Sequence, residues 1–323
     1  MYPSEQTESL FSLNELLEGV VETFGSQVNA KGLDIWILMS HKCPKLIRTH
    51  QAVLAQLLTT SIHHALRLTH NGEVLILVSP DYETDKSMGL RFNISDTGSG
   101  LESELLQRIE SLAASRQISQ TLFEEQQADS PMMADMAQCL SLVQQVNGSY
   151  GVQSAQGRGT TYWFEVPVAT ALPEAIAEEP LVADVILLAT RSVRRMAYGR
   201  LLDGQVSSFR STQLVEQVRE WVDQCDQPVV ILDMNENDLV NQYLLTELVH
   251  EVPVIQAQAF EEKRSHHSKG AKVRGNGGAS ESLWPMPLSK PVTQTRLLEA
   301  IERALQSFDG KSARPSSNLQ NLW

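Results

Sequence analysis

Hydrophobic positions recur at helical spacing in two segments near the start of the chain. The spacing predicts amphipathic helices over residues 13–29, with Ser12 as the N-cap, and over residues 50–68. Short apolar runs around these helices predict strands, and two of those strands are close enough along the chain to form a hairpin. The predicted strands cover residues 33–39, 73–79, 89–95, 152–153 and 161–168, and further helices follow Leu101 and cover residues 132–146.

Beyond residue 180, short apolar strands alternate with amphipathic helices. This alternation predicts a parallel sheet with helices on both faces. An Ala/Glu/Pro-rich stretch precedes it, so we predict domains at residues 1–168 and 182–306, joined by a linker at 169–181. Residues 261–282 are rich in Lys, Arg, His, Ser and Gly and are expected to form an inserted loop, solvated or in contact with an acidic partner. Residues 307–323 are expected to be a flexible tail.

Composition narrows the range of partners. The formal net charge of -13 is spread along the 323 residues and leaves no basic face for nucleic acid. No apolar run is long enough to cross a membrane and the first residues do not resemble a signal peptide, so a cytoplasmic protein is expected. Cys43, Cys139 and Cys225 are too widely spaced to suggest a disulfide or metal framework and are expected to be reduced thiols.

The segment Asp96-Thr97-Gly98-Ser99-Gly100 directly follows a predicted strand. It places a carboxylate beside backbone that a ligand can approach closely, because glycine has no Cβ. Aspartate and glycine also form ordinary turns, so this short motif alone does not establish a binding site.

The order of elements around this motif resembles the GHKL-type ATP-binding domain of hybrid sensor histidine kinases. The resemblance covers residues 11–168 and includes the opening Phe11-Ser12-Leu13-Asn14-Glu15-Leu16-Leu17 and the late segment Gly157-Arg158-Gly159-Thr160-Thr161-Tyr162-Trp163-Phe164. It implies an α/β sandwich with ATP as the ligand. Asp96 matches the carboxylate that hydrogen-bonds the adenine amino group, Gly98 and Gly100 match glycines that shape the adenine pocket, and Thr160 matches a hydroxyl near the base.

Two other family motifs are altered. The helix that supplies a magnesium ligand through two asparagines carries Thr60 and His64 at those positions, and an imidazole is a poor ligand for magnesium. The three glycines of the ATP lid align with Pro131, Met133 and Asp135, so the backbone is not expected to wrap a triphosphate. ATP therefore stays an open question and magnesium is not expected. A structural role is the simpler interpretation of His63 and His64. We also expect no phosphoacceptor-histidine domain within the chain.

The second domain resembles a response-regulator receiver, with a doubly wound, flavodoxin-like sheet, over about residues 181–305. Asp233 ends an apolar strand and matches the phosphoacceptor, and Lys290 matches the phosphate-contacting lysine. An aspartate in this place can also simply cap a turn. The acidic pair of receivers aligns with Ala189 and Thr190, and the switch hydroxyl aligns near Gln258, so phosphorylation is not expected.

Three hypotheses follow from these resemblances. The first is a non-catalytic two-component regulator that binds a sensor histidine kinase or a phosphotransfer protein. The second is an ATP-binding kinase component that phosphorylates a histidine of another chain, with relay to Asp233. The third is a module that senses a nucleotide through Asp96 without hydrolysing it.

Overall fold

The computed structural model describes residues 8–83, 88–114, 131–170, 179–234, 248–260 and 285–308. These residues divide into two compact units, the first formed by the described residues up to 170 together with Phe260, and the second by the others. In the first unit the strands are β1 (Ser9–Ser12), β2 (Asp34–Met39), β3 (Leu46–Thr49), β4 (Glu73–Glu83), β5 (Met88–Asp96), β6 (Ser149–Ala155) and β7 (Gly159–Thr170). Its helices are α1 (Leu13–Glu22), α2 (Gly25–Lys31), α3 (Gln51–Leu68), α4 (Ser103–Ala114) and α5 (Pro131–Gln145).

The first unit is a two-layer sandwich of helices on a mixed sheet. The strand order is β1-β3-β7-β5-β4-β2, with β6 also paired to β7. Strands β2 and β4 pair in parallel, and the other described neighbours are antiparallel. Alternate residues of β4, such as Val74, Ile76 and Val78, are fully buried, as the two-residue period of a strand with one covered face requires. Helices α1, α3 and α5 pack over this apolar face.

The start of the first unit corrects the predicted single helix over residues 13–29. Helix α1 begins as expected, because the Ser12 hydroxyl accepts a hydrogen bond from the Glu15 amide at 3.3 Å. It stops at Glu22, and a separate helix, α2, begins at Gly25. The Thr23 hydroxyl donates to the Val20 carbonyl at 2.7 Å, which satisfies a carbonyl at the helix end. Apolar spacing continues across this break, so the pattern did not reveal it.

The second unit has a parallel sheet of five strands. They are β8 (Leu181–Leu188), β9 (Val206–Thr212), β10 (Pro228–Leu232), β11 (Val254–Gln258) and β12 (Met286–Ser289). Their helices are α6 (Ser192–Leu202), α7 (Val215–Gln224) and α8 (Gln294–Phe308). The order β9-β8-β10-β11-β12 is that of the doubly wound, flavodoxin-like fold, in which ligands bind beyond the carboxyl ends of the strands. The predicted fold class is confirmed in both units.

Several predictions fall at the edges of the described chain. The predicted linker begins and ends within strands, since β7 continues to Thr170 and β8 starts at Leu181. Helix α8 reaches Phe308, two residues into the predicted tail. The predicted inserted loop over 261–282 lies outside the described residues. The three cysteines are unpaired. None of the described helices has the length and apolar character to cross a membrane.

Candidate functional site

Asp96 is the last residue of β5 and points to the covered side of the sheet, where only 5% of its surface is exposed. Its Oδ1 atom accepts a hydrogen bond from the Gly98 amide at 2.8 Å. Its Oδ2 atom is buried and has no hydrogen-bond partner in the described part of the chain. Burial raises the pKa of Asp96, while the backbone amides of Gly98 and Thr160 oppose the shift. The carboxylate therefore keeps one desolvated acceptor without a partner among the described residues.

Close packing of the loop after β5 explains both glycines of the motif. A Cβ atom on Gly98 would lie 2.4 Å from the Leu68 carbonyl oxygen. Gly100 has a φ of +74°, and a Cβ there would lie 2.3 Å from the Ala155 carbonyl oxygen. Contacts within the unit thus require glycine at both positions. The two glycines alone are not evidence of a ligand.

Thr160 lies beside Asp96 and is almost fully buried. Its hydroxyl oxygen is 3.0 Å from the Ser154 hydroxyl oxygen, which accepts a hydrogen bond from the Leu101 amide at 2.8 Å. The buried hydroxyl of Tyr162 is close to this group, and burial followed by the Asp96 charge raises the Tyr162 pKa. The structure therefore brings together all four residues that the resemblance assigns to adenine, namely Asp96, Gly98, Gly100 and Thr160.

His64 lies in the interior of the first unit on the inner face of α3, with none of its surface exposed. Its Nε2 atom is 3.3 Å from Oδ2 of Asp135, but neither ring nitrogen has a hydrogen bond of good geometry among the described residues. Burial, with smaller effects from Arg67 and His63, lowers the His64 pKa to about 3. Asp135 is partly exposed, so its attraction is weaker than the cost of burying a charged ring. His64 is therefore a neutral residue of the core.

Helix α5 occupies the three positions where the family carries its lid glycines. Met133 is fully buried, and Asp135 reaches toward His64. The Tyr150 hydroxyl donates to the Met136 sulfur at 3.1 Å, which ties the same helix to β6. Pro131 has no amide hydrogen to donate, and the helix fixes the backbone of these positions in one conformation that does not wrap a phosphate chain. Sequence reasoning identified the altered positions but missed the His64–Asp135 contact, which joins residues 71 positions apart.

The residues present suit the adenine part of a nucleotide better than its magnesium-bound phosphates. The unpaired Oδ2 of Asp96 suits the amino group of adenine, which is a hydrogen-bond donor. Magnesium prefers several oxygen ligands, whereas the altered helix offers the His64 ring and the Thr60 hydroxyl. No group of three His, Cys, Asp or Glu side chains in the described ranges has the arrangement of a metal site.

Asp233 follows β10 in the second unit and is 1% exposed. One guanidinium nitrogen of Arg194 donates to its Oδ1 at 2.7 Å and to its backbone oxygen at 3.1 Å. The Lys290 ammonium nitrogen lies 3.7 Å from the same Oδ1. The predicted pair of Asp233 and Lys290 is thus brought together, and Arg194 is a member that sequence reasoning missed.

Arg194 could have been recognised from its position in the helical pattern. The buried residues of α6 recur at helical spacing, and Arg194 is the first of them: Arg194, Ala197, Tyr198, Leu201 and Leu202. A charged residue on the apolar stripe of a helix needs a buried partner of opposite charge. Asp233 is that partner.

Known proteins with similar sequences match the first unit. Residues 48–170 match the family model described as "Histidine kinase-, DNA gyrase B-, and HSP90-like ATPase". The sensor histidine kinase AruS of Pseudomonas aeruginosa is 30% identical over 172 residues, which are 50% of this chain and 16% of that protein. The hybrid signal transduction protein dokA of Dictyostelium discoideum is 28% identical over 168 residues, 50% of this chain and 10% of that protein.

One relative and one solved structure extend into the second unit. The sensor histidine kinase GacS of Pseudomonas protegens is 23% identical over 239 residues, 71% of this chain and 25% of that protein. The crystal structure of full-length ShkA in complex with AMPPNP covers 94% of this chain with a TM-score of 0.63 and 18% identity, and the match spans 58% of that chain. This chain spans a quarter or less of the length of these curated relatives. Residues 48–170 are thus similar to histidine-kinase-like ATPase domains, and the second unit has a receiver-like fold.

Proposed function

We propose that this protein is a non-catalytic regulator of two-component signalling that acts by binding a sensor histidine kinase or a phosphorelay protein. The observation that carries the proposal is the contact between His64 and Asp135. It joins the altered magnesium helix to the altered lid, so that side chains of the protein meet where the family motifs would hold metal and phosphates.

The chemistry of these two residues supports the proposal. Transfer of a phosphoryl group depends on a metal and on positive groups that neutralise its charge. His64 is uncharged near neutral pH because its pKa is lowered to about 3, and Asp135 adds a carboxylate that repels phosphate. Partner binding does not require this charge neutralisation, because it depends on a surface rather than on reacting groups.

The second candidate function is an ATP-binding kinase component that acts on a histidine of another chain and relays to Asp233. One observation favours it: the Oδ2 atom of Asp96 is buried beside Thr160 and has no partner among the described residues. An unpaired buried acceptor is costly, and an adenine amino group would satisfy it. The same observation favours a nucleotide-sensing module that binds adenine without hydrolysis.

Calorimetric titration of the full chain separates these functions. The protein is titrated with ATP and magnesium and, separately, with adenosine without metal. The proposal expects no tight binding of ATP and no enhancement by magnesium. Tight, magnesium-dependent ATP binding would overturn it in favour of the kinase component, and equal binding of adenosine and ATP would favour the sensor.

A matched pair of variants shows whether any binding uses the Asp96 site. Asp96→Asn presents an amide that can turn its donor toward the ligand, so adenine binding through this residue should weaken about tenfold. Asp81→Asn changes an exposed carboxylate on β4 and should leave binding unchanged. Equal affinities of the two variants would place the nucleotide elsewhere.

Regulation is tested by adding the protein to a purified hybrid histidine kinase from the same organism. The proposal expects the rate of kinase autophosphorylation to change in proportion to the amount of protein added. It also expects the Asp96→Asn variant to act like the unaltered protein. An effect that required ATP binding by this chain would overturn the proposal in favour of the nucleotide sensor or the kinase component.

A further inference from the structure

The second unit has a buried cluster of one carboxylate and two cationic side chains. Oδ1 of Asp233 receives the Arg194 guanidinium at 2.7 Å and lies 3.7 Å from the Lys290 ammonium nitrogen. The Arg194 and Lys290 side chains are 10% and 14% exposed, and that of Asp233 is 2% exposed. Charge-assisted hydrogen bonds in such shielded surroundings are stronger than those on a protein surface.

A divalent metal does not fit this cluster. The acidic pair that would share a metal with Asp233 is replaced by Ala189, which is fully buried, and by Thr190. Asp233 is then the only carboxylate of the expected set, and Arg194 already lies against it. Because a guanidinium is always charged, a metal ion bound to the same oxygen would be repelled by it at short distance.

The position of Arg194 shows that it is built into the fold. It lies in the first turn of α6, where the helix dipole disfavours a positive charge. Arg194 is nevertheless buried, with 8% of its surface exposed, on the helix face that also carries Ala197 and Tyr198. The pairing with Asp233 is the compensation that the structure provides. The same guanidinium also donates to the Asp233 backbone oxygen at 3.1 Å, so two hydrogen bonds hold it against this residue.

We infer that Arg194 is an internal cation that takes the place of a divalent metal and holds the second unit in one state that does not depend on phosphorylation. One oxygen of Asp233 is occupied by cations of the chain itself. The site has no second carboxylate with which to bind a metal. The inference goes beyond the proposed function because it concerns the second unit alone, and nucleotide binding by the first unit would leave it unchanged.

Hydrogen exchange of the full chain measures whether the pair holds the unit together. Protection factors are compared for peptides that cover β8 and β10, in the unaltered protein and in three single variants. Arg194→Met and Asp233→Asn should each lower protection about tenfold or more, since the first leaves the Asp233 carboxylate with Lys290 alone and the second leaves two cations without the carboxylate between them. Arg200→Met removes an exposed arginine from the same helix and should have no effect.

The double variant Arg194→Met/Asp233→Asn decides whether the two residues act as a pair. Protection should recover toward the unaltered value, because neither member of the pair is then left charged without the other. Effects that simply multiply in the double variant would overturn the inference. If Arg194→Met does not fold, Arg194→Lys serves in its place, with a smaller loss of protection expected and with equal protection counting against the pair.

A direct chemical challenge tests independence from phosphorylation. The full chain is incubated with acetyl phosphate and magnesium, or with beryllofluoride and magnesium. Mass spectrometry should show no phosphate on Asp233, and the protection of β10 should not change. A phosphorylated Asp233, or protection raised by beryllofluoride and magnesium, would overturn the inference whatever the first unit binds.

Discussion

Asp96 and Asp233 occupy equivalent places in two different sheets. Each follows the apolar part of a strand, each is buried, and each has an Oδ2 atom without a partner in the part of the chain that the structure describes. Their Oδ1 atoms differ. That of Asp96 receives a neutral backbone amide, and that of Asp233 faces an arginine and a lysine.

This difference shows that burial and strand position do not by themselves define the chemistry of a carboxylate. No lysine or arginine in the described ranges forms an ion pair with Asp96, and burial raises its pKa, so it remains an acceptor that a ligand donor could satisfy. Asp233 is already neutralised by its own chain. The nearest charges, rather than the fold, distinguish the two sites.

The strongest way to test this comparison is to replace each aspartate by asparagine. Asp233→Asn leaves Arg194 and Lys290 together without a negative charge, and we expect the second unit to lose about 3 kcal/mol. Differential scanning calorimetry of the full chain should show one transition shifted to lower temperature. A shift smaller than that of an exposed control, Asp203→Asn, would mean that Asp233 is not held by its cations.

A second test asks whether the loop that positions Asp96 is held by backbone contact. Gly100 and Gly157 both have a φ of +74°, but only Gly100 would bring a Cβ against another atom, the Ala155 carbonyl oxygen. Gly157→Ala should cost about 1 kcal/mol from backbone strain, and Gly100→Ala about 2 to 3 kcal/mol from strain and clash together. Urea unfolding measures the pair, and equal losses would show that the loop moves aside easily.

A third test uses pH to examine His64, which is buried in the same unit as Asp96. Its pKa is about 3 in the folded chain and 6.5 ordinarily, so the unfolded chain binds more protons between these values. Stability should therefore fall as pH decreases below 6.5. At pH 5 this loss should be about 2 kcal/mol, as measured by the difference between the unaltered protein and His64→Leu relative to pH 7.5.

The neighbouring histidine provides the control for the pH test. His63 is exposed on the same helix, so His63→Leu should leave the acid-side slope in place. If Asp135 instead kept His64 charged, the stability contributed by His64 would rise as pH fell. That opposite sign would contradict a neutral His64.

The smallest effect is expected from Asp96→Asn. Because the folded pKa of Asp96 is raised, its ionisation lowers stability as pH rises from 3.8 through the folded value. Asparagine removes that cost and can keep the bond from the Gly98 amide. We expect a gain of at most about 1 kcal/mol at pH 7, which should disappear below pH 3.8, measured by urea unfolding. A loss comparable to that of Asp233→Asn would erase the distinction between the two sites.

The sequence predicted elements well wherever apolar side chains kept a regular period. Helix α3 and the strands β4 and β5 lie within a few residues of their predicted positions, because their buried residues repeat at helical or alternating spacing. Strands β1 and β3 were missed. Each has four residues, and Leu10 and Leu46 in them are exposed, so no alternation marks them.

The sites were predictable only as far as local motifs reach. Asp96 and Asp233 were recognised because each ends an apolar strand. The partners that define their surroundings come from distant parts of the chain, as Arg194 does for Asp233. Such pairs depend on which helix faces lie together, and sequence spacing does not encode this for a single chain.

Arg194 has a consequence for how a cell could control this protein. A carboxylate whose counter-charge belongs to the same polypeptide meets the same partner at every magnesium concentration and at every level of phosphoryl donor. A signal carried by the second unit would then vary with copy number rather than with the chemical state of each copy. Its strength would be set by synthesis and degradation, and no phosphatase would be needed to reset it.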